Sequence, residues 1–216
     1  MNFEYPPHGE LFSLFRQLKT PPDIQLYLDS LPYVGEEPNR SPLRVMRDRQ
    51  CHCLDGALLA ALALEQIGYA ARIIDLVPEP GTDDDHVLAI FQINGCYGAV
   101  AKSNFVGLRY REPVYRSLRE LAMSYFEVFY NVKGQKTLRA YTRPLNLARY
   151  DRFDWQATET GVEKVVNALY SLKPVALIDA AQTAGLSFVD KRSYEAGMHG
   201  TNVAGLYKPA QGRSEG

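Results

Sequence analysis

No stretch of this chain is apolar for long enough to cross a bilayer. Its richest run, Ala57 to Leu64, falls well short of the about 18 residues that a spanning helix needs. The opening MNFEYPPHGE has neither a basic n-region nor an apolar h-region, so no secretory leader is expected. Charge of neither sign dominates: the formal net charge is −1 and the isoelectric point about 6.4. Without a basic footprint, nucleic acid is not an expected partner, and neither is a membrane. Cysteine is scarce and odd in number, three in all, with two of them at Cys51 and Cys53. That argues against a disulfide framework and for a reducing compartment, which places the chain in the cytoplasm. No internal repeat or low-complexity tract stands out.

What is present suits a folded protein that buries a full core. The 216 residues are 46% hydrophobic and 23% charged. The expected organisation is a principal domain over 1–150, a C-terminal helical extension over 151–207 and a disordered tail over 208–216. Leu11 to Leu18 reads as a short helix, and Thr20-Pro21-Pro22 opens another. Pro32 to Pro42 reads as loop and Arg44 to Gln50 as a basic connector. Cys53 to Ile67 is the strongest helix, rich in Ala and Leu and apolar around most of its girth, with Gly68 placed to end it. ARIIDLV (71–77) and HVLAIFQI (86–93) are strand-like, and Asn94-Gly95 is a hairpin turn that returns the chain through Cys96 to Lys102. Ser117 with Glu120, and Thr160 with Glu163, have capping-box spacing. Val175 to Ala184 reads as a last helix. A helix followed by antiparallel strands and flanked by helices is α+β.

The chemistry centres on Cys53. A helix N-terminus offers free N–H groups and the positive end of the dipole, which favour a thiolate nucleophile. Asp55 in the first turn suits the helix but opposes the thiolate, so a histidine base is needed. His86 opens an otherwise apolar strand after three aspartates and is the candidate. Cys51, His52, Cys53 and His86 lack the paired spacing of a zinc site, so neither metal nor cofactor is expected. Lys102, Arg109 and Arg111 beside Tyr110 and Tyr115 read as a solvated surface loop.

The ordered set of Cys, long helix, Gly, strand, loop, His and hairpin resembles the transglutaminase-like superfamily. CLDGALLAALALEQIGYAARII, from Cys53, matches its nucleophile helix. DDDHVLAIFQINGCYGAVAKSNF matches its His–strand–turn–strand segment. The resemblance covers roughly Arg47 to Phe105. It implies a papain-like core over 1–150, with the nucleophile helix packed on an antiparallel sheet. It also implies acyl transfer through a Cys53 thioester, with His86 as base and a peptide or amide as substrate.

The chain departs from that family at the third position, where an orienting Asp is replaced by Ala101. Pairing outward from Ile93 and Cys96 sets Ser103 across from His86, with Ala101 on the same face. Ser103 is the first candidate to orient the imidazole and Asn104 the second. Gln50 is the nearest side-chain candidate for an oxyanion donor beside the Cys53 N–H. Two functions follow: a cysteine hydrolase or acyltransferase, or a degenerate relative that keeps the cleft and binds a peptide or protein partner.

Overall fold

The computed structural model describes residues 9–35 and 38–207; the expected tail over 208–216 lies outside the described residues, as does most of the opening decapeptide. The protein is α+β. Helices α1 (Gly9–Phe15), α2 (Pro21–Asp29), α3 (Pro42–Asp48) and α4 (Cys53–Gln66) come first. A hairpin-rich stretch follows: β1 (Arg72–Pro78), β2 (His86–Ile93), β3 (Cys96–Val100) and β4 (Arg111–Tyr115). Then come α5 (Leu118–Met123), β5 (Leu138–Tyr141), β6 (Leu145–Asn146), α6 (Glu159–Tyr170), β7 (Val175–Ala176), α7 (Ala180–Ala184) and α8 (Lys191–Gly197). The strands form one antiparallel sheet in the order β4-β3-β2-β1-β5-β7, with β6 also on β1. No helix among the described residues is long and apolar enough to cross a membrane.

α4 forms for the reasons its composition gives and is held by burial. Twelve of its fourteen residues are buried, five of them leucines, each stabilising by about 1.5–3 kcal/mol relative to exposure. Gly68, at φ 97, ends it, with Tyr69 N–H returning to the Leu64 carbonyl at 3.0 Å. α4 packs on Ile73, Val87, Ala89 and Phe91, one face of the sheet. The opposite face carries Ile74, Leu76, Leu88 and Ile90, covered by Leu108, Leu121, Tyr125 and Phe129. Successive residues of β2 therefore enter different cores.

Four local expectations are corrected. Residues 42–48 are helical: Ser41 caps α3, Pro42 stands at its first position, and the basic residues are paired, Arg44 with Asp48 at 3.1 Å and Arg47 with Glu10 at 3.0 Å. α6 is capped by Thr158, not Thr160, its hydroxyl accepting from Gly161 N–H at 3.1 Å. Val175–Ala176 is a strand that completes the sheet on β5, and the helix starts only after the Asp179 cap. The stretch 102–115 is no solvated loop. Arg111 lies over the Tyr125 ring at 3.9 Å and donates to the Gly107 carbonyl at 2.8 Å, while Arg109 pairs with Asp29 at 2.9 Å. Residues beyond 150 share the principal core, since Trp155, Val162, Val165 and Leu169 pack in the α4 cluster.

Candidate functional site

The Asn94-Gly95 turn sets the hairpin register as its chemistry predicts. Both residues have positive φ, 50° and 79°, and Ile93 faces Cys96. The ladder runs to Ala89↔Val100 and stops. There Gln25 of α2 takes over as a surrogate strand: its Oε1 accepts from Ala101 N–H and its Nε2 donates to the Ala101 carbonyl, both at 3.0 Å. Lys102 follows it off the sheet, its Nζ donating to the Leu28 carbonyl at 2.8 Å and to that of Leu31 at the C-terminal end of α2. The expected pairing of Ser103 with His86 is therefore not made. Ser103 Oγ instead accepts from Phe105 N–H at 2.9 Å. Asn104 likewise bonds away from the imidazole, to Asn202. Ala101 does share the imidazole's layer, fully buried in the second core.

His86 Nε2 lies 2.6 Å from the Leu108 carbonyl, and its ring meets Tyr125 edge-on at 6.4 Å. A carbonyl only accepts, so Nε2 carries the proton. Burial pushes the ring's pKa down to about 4, against the Leu108 bond, which favours the protonated form. The imidazole is neutral at pH 7.

Cys53 lies across the sheet, on the α4 side. Its thiol donates toward the Asp85 carbonyl at 3.9 Å, and Val87 N–H points at the sulfur. Burial, then the Asp85 and Asp84 carboxylates, push the thiol pKa up, outweighing the Val87 bond. The structure thus does not bring the thiol and the imidazole together. Asp85, immediately before β2, comes to the thiol's side, and His86, the first residue of β2, turns to the other.

The neighbours of the thiol are acids. Asp75 on β1 is 4% exposed, accepts from His86 N–H and leaves Oδ1 buried without a partner. Burial, then Asp85, push its carboxyl pKa up. Asp85 is raised to about 6, chiefly by burial and then by Asp84, while the Tyr170 hydroxyl donates to it. Two carboxyls this close share a proton. Sequence reasoning missed Asp75 and Tyr170; the available signal was an acid inside the β-branched run ARIIDLV.

Asp55 does not burden the thiol. It is fully buried, accepts from Arg40 N–H at 2.7 Å and lies 3.6 Å from the Arg40 guanidinium. With His52 it caps α4 reciprocally. Cys51 is buried on the opposite side of the helix start, where Lys102 works against the rise that burial causes. Gln50 is half-buried in the turn before α4.

His86, Ser103 and Asn104 line one cavity of about 40 Å³ with Asp85, Tyr33 and Gly205. That volume holds about one water molecule. An open groove of about 630 Å³ shares Tyr33, Ser103, Asn104 and Phe105 with it and continues to His199 and Asn202. Among the described residues, no group of three or more His, Cys, Asp or Glu side chains is arranged to hold a metal. No model of a known protein family matches the chain, and no curated protein matches it.

Proposed function

We propose that this chain is a peptide-binding module on a transglutaminase-like, papain-like core, working in the cytoplasm, in which the cysteine chemistry has lapsed. One observation carries the reading. The imidazole and the thiol lie on opposite faces of the sheet, each neutral at pH 7, with carboxylates rather than a base beside the sulfur. A thiolate–imidazolium pair needs the reverse: contact, and an environment that favours both charges. Ala101 in place of the orienting acid points the same way. What remains is the groove. There the Asn104 side-chain amide accepts from the N–H and donates to the C=O of one residue, Asn202, at 2.8 and 2.9 Å. That two-bond match reads an extended peptide backbone rather than a particular side chain.

The cysteine hydrolase or acyltransferase stands as the second reading, favoured by the thiol's seat at the α4 N-terminus with Val87 N–H aimed at it. Limited alkylation with iodoacetamide near pH 6, followed by peptide mapping, separates the two. The binding reading expects Cys96, which is half-buried, to label first and Cys53 to label much more slowly, since burial raises the Cys53 thiol's proton affinity and shields its sulfur. Preferential labelling of Cys53 would restore the enzyme.

A further inference from the structure

One wall of the groove is itself a peptide: residues 199–207 of the chain, seated on Tyr33, Gly35 and Asn104. Asn202, extended at φ −75° and ψ 104°, is the residue clamped by Asn104. Thr201 Oγ1 donates to the Asn104 carbonyl at 3.1 Å, and Asn202 Nδ2 donates to the Tyr33 carbonyl at 2.9 Å. Three residues on, Gly205 passes against Gly35 so closely that a Cβ on Gly35 would stand 2.9 Å from Gly205 Cα, and a Cβ on Gly205 would stand 3.0 Å from the Tyr33 ring. Each contact is made with the groove's backbone, with the Tyr33 ring or with Asn104, which is 8% exposed and so rigidly placed.

The segment gives almost nothing to the core in return. None of residues 201–207 is buried, and Val203 is 72% exposed. A segment held mainly by hydrogen bonds, with Leu206 and Tyr207 its only half-buried large apolar side chains, belongs to the low-stability end of a fold and opens readily. Its seat is nevertheless shaped for one pattern. A hydroxyl is accepted at one position, a side-chain amide is bonded at the next, and three residues later any side chain would have to push the Tyr33 ring aside.

Building on the peptide-binding reading, we propose that the seat formed by Tyr33, Gly35 and Asn104, beside the groove, selects polypeptide segments of the form Thr-Asn-x-x-Gly, extended at the Asn and turning in a single 3-10 turn from there to the Gly. Residues 199–207 occupy it as a tethered stand-in. A partner carrying the pattern displaces that segment and reaches the small cavity beneath Gly205, where His86 and Asp85 lie.

The test uses the full chain and a fluorescein-labelled peptide, HGTNVAGLY, the sequence of residues 199–207. Asn202→Pro removes the N–H that Asn104 Oδ1 accepts and should unseat the segment without touching the core. Hydrogen exchange of 199–207 verifies the release, with Gly205→Val as a second releasing variant. By fluorescence anisotropy the released chain should bind the peptide at least tenfold more tightly than the parent. Changing the peptide's Thr-Asn to Ala-Ala, or its Gly to Val, should cost at least tenfold, and Asn104→Ala in the released chain should abolish binding while leaving its melting temperature in place. Equal binding of the altered peptides would overturn the selectivity and leave peptide binding standing. Equal binding by parent and released chain would overturn the tethered-ligand role. No binding of any peptide by the released chain would overturn the peptide-binding reading itself.

Discussion

The two faces of β2 carry opposite chemistries one residue apart. On the α4 face, Asp85 joins Asp75 beside the Cys53 thiol, and burial raises the proton affinity of all three. On the other face, His86 sits against Leu108 and Tyr125, and burial keeps the second proton off its ring. Desolvation thus drives acids and base alike toward their neutral forms. A Cys followed, across a strand and a loop, by a His is therefore no guarantee of a dyad. The parity of the strand decides which side chain meets the sulfur, and here it is a carboxyl.

The strongest way to break this separation is to remove what draws residues 101–104 off the sheet. Gln25→Leu leaves the Ala101 N–H and C=O buried without partners. It should lower stability by about 2–5 kcal/mol in urea denaturation, given the cost of each unsatisfied buried group. A loss under about 1 kcal/mol would mean that Lys102 alone holds the detour.

The second test is the pH response of the acid face. Asp85, raised to about 6, and Asp75, also raised, keep protons in the folded state that the unfolded chain has released. Stability contributed there is full below the unfolded value near 3.8 and is lost as pH rises through about 6. Asp75→Asn removes the repulsion while keeping an acceptor for His86 N–H. The variant should match its parent near pH 4 and exceed it by about 1–3 kcal/mol at pH 8, because each tenfold change in proton affinity is worth about 1.4 kcal/mol. Asp55, raised to about 7, remains in both proteins and leaves a residual slope of the same sign. A variant weaker than its parent at pH 8 would count against the shared proton.

The imidazole face should answer in the opposite direction. His86 titrates near 4 when folded and near 6.5 when unfolded, so its cost grows as pH falls between those values. His86→Gln can still donate to the Leu108 carbonyl. It should flatten the acid limb of a stability–pH curve by about 2–4 kcal/mol, the scale set by a roughly three-hundredfold change in proton affinity between the two states. His52, also lowered to about 4, keeps part of that limb. An unchanged limb would mean that His86 is protonated in the native protein.

Much of the fold is legible in the sequence because local signals and tertiary packing agree in it. The apolar girth of 53–66, its closing glycine and the Asn94-Gly95 turn each specify their element, and the turn also specifies the register from Ile93 to Ala89. The site is less legible. Extending the ladder past Val100 puts Ser103 opposite His86, but a side chain 76 residues earlier takes over the pairing. Nothing local to 101–104 announces that. The parity of β2 is open too, since HVLAIFQI is apolar at every inward position and fits either face. Val175 to Ala184 misleads because a two-residue strand has too few side chains to show a period. At residues 42–48 the charges mask a Ser-Pro helix start.

Gln25 also sets an order of events in synthesis. Ala101 emerges 76 residues after its partner, which at ribosomal rates is an interval of about 4–15 s. Until then α2 lacks both the amide it will hold and the lysine that will cap it. The first helices of the chain are thus built as a dock for a strand not yet made. A truncation that spared the whole sheet but removed residues 21–29 would leave the end of β3 without its closing pair. For that reason the smallest self-sufficient fragment begins well upstream of Cys53.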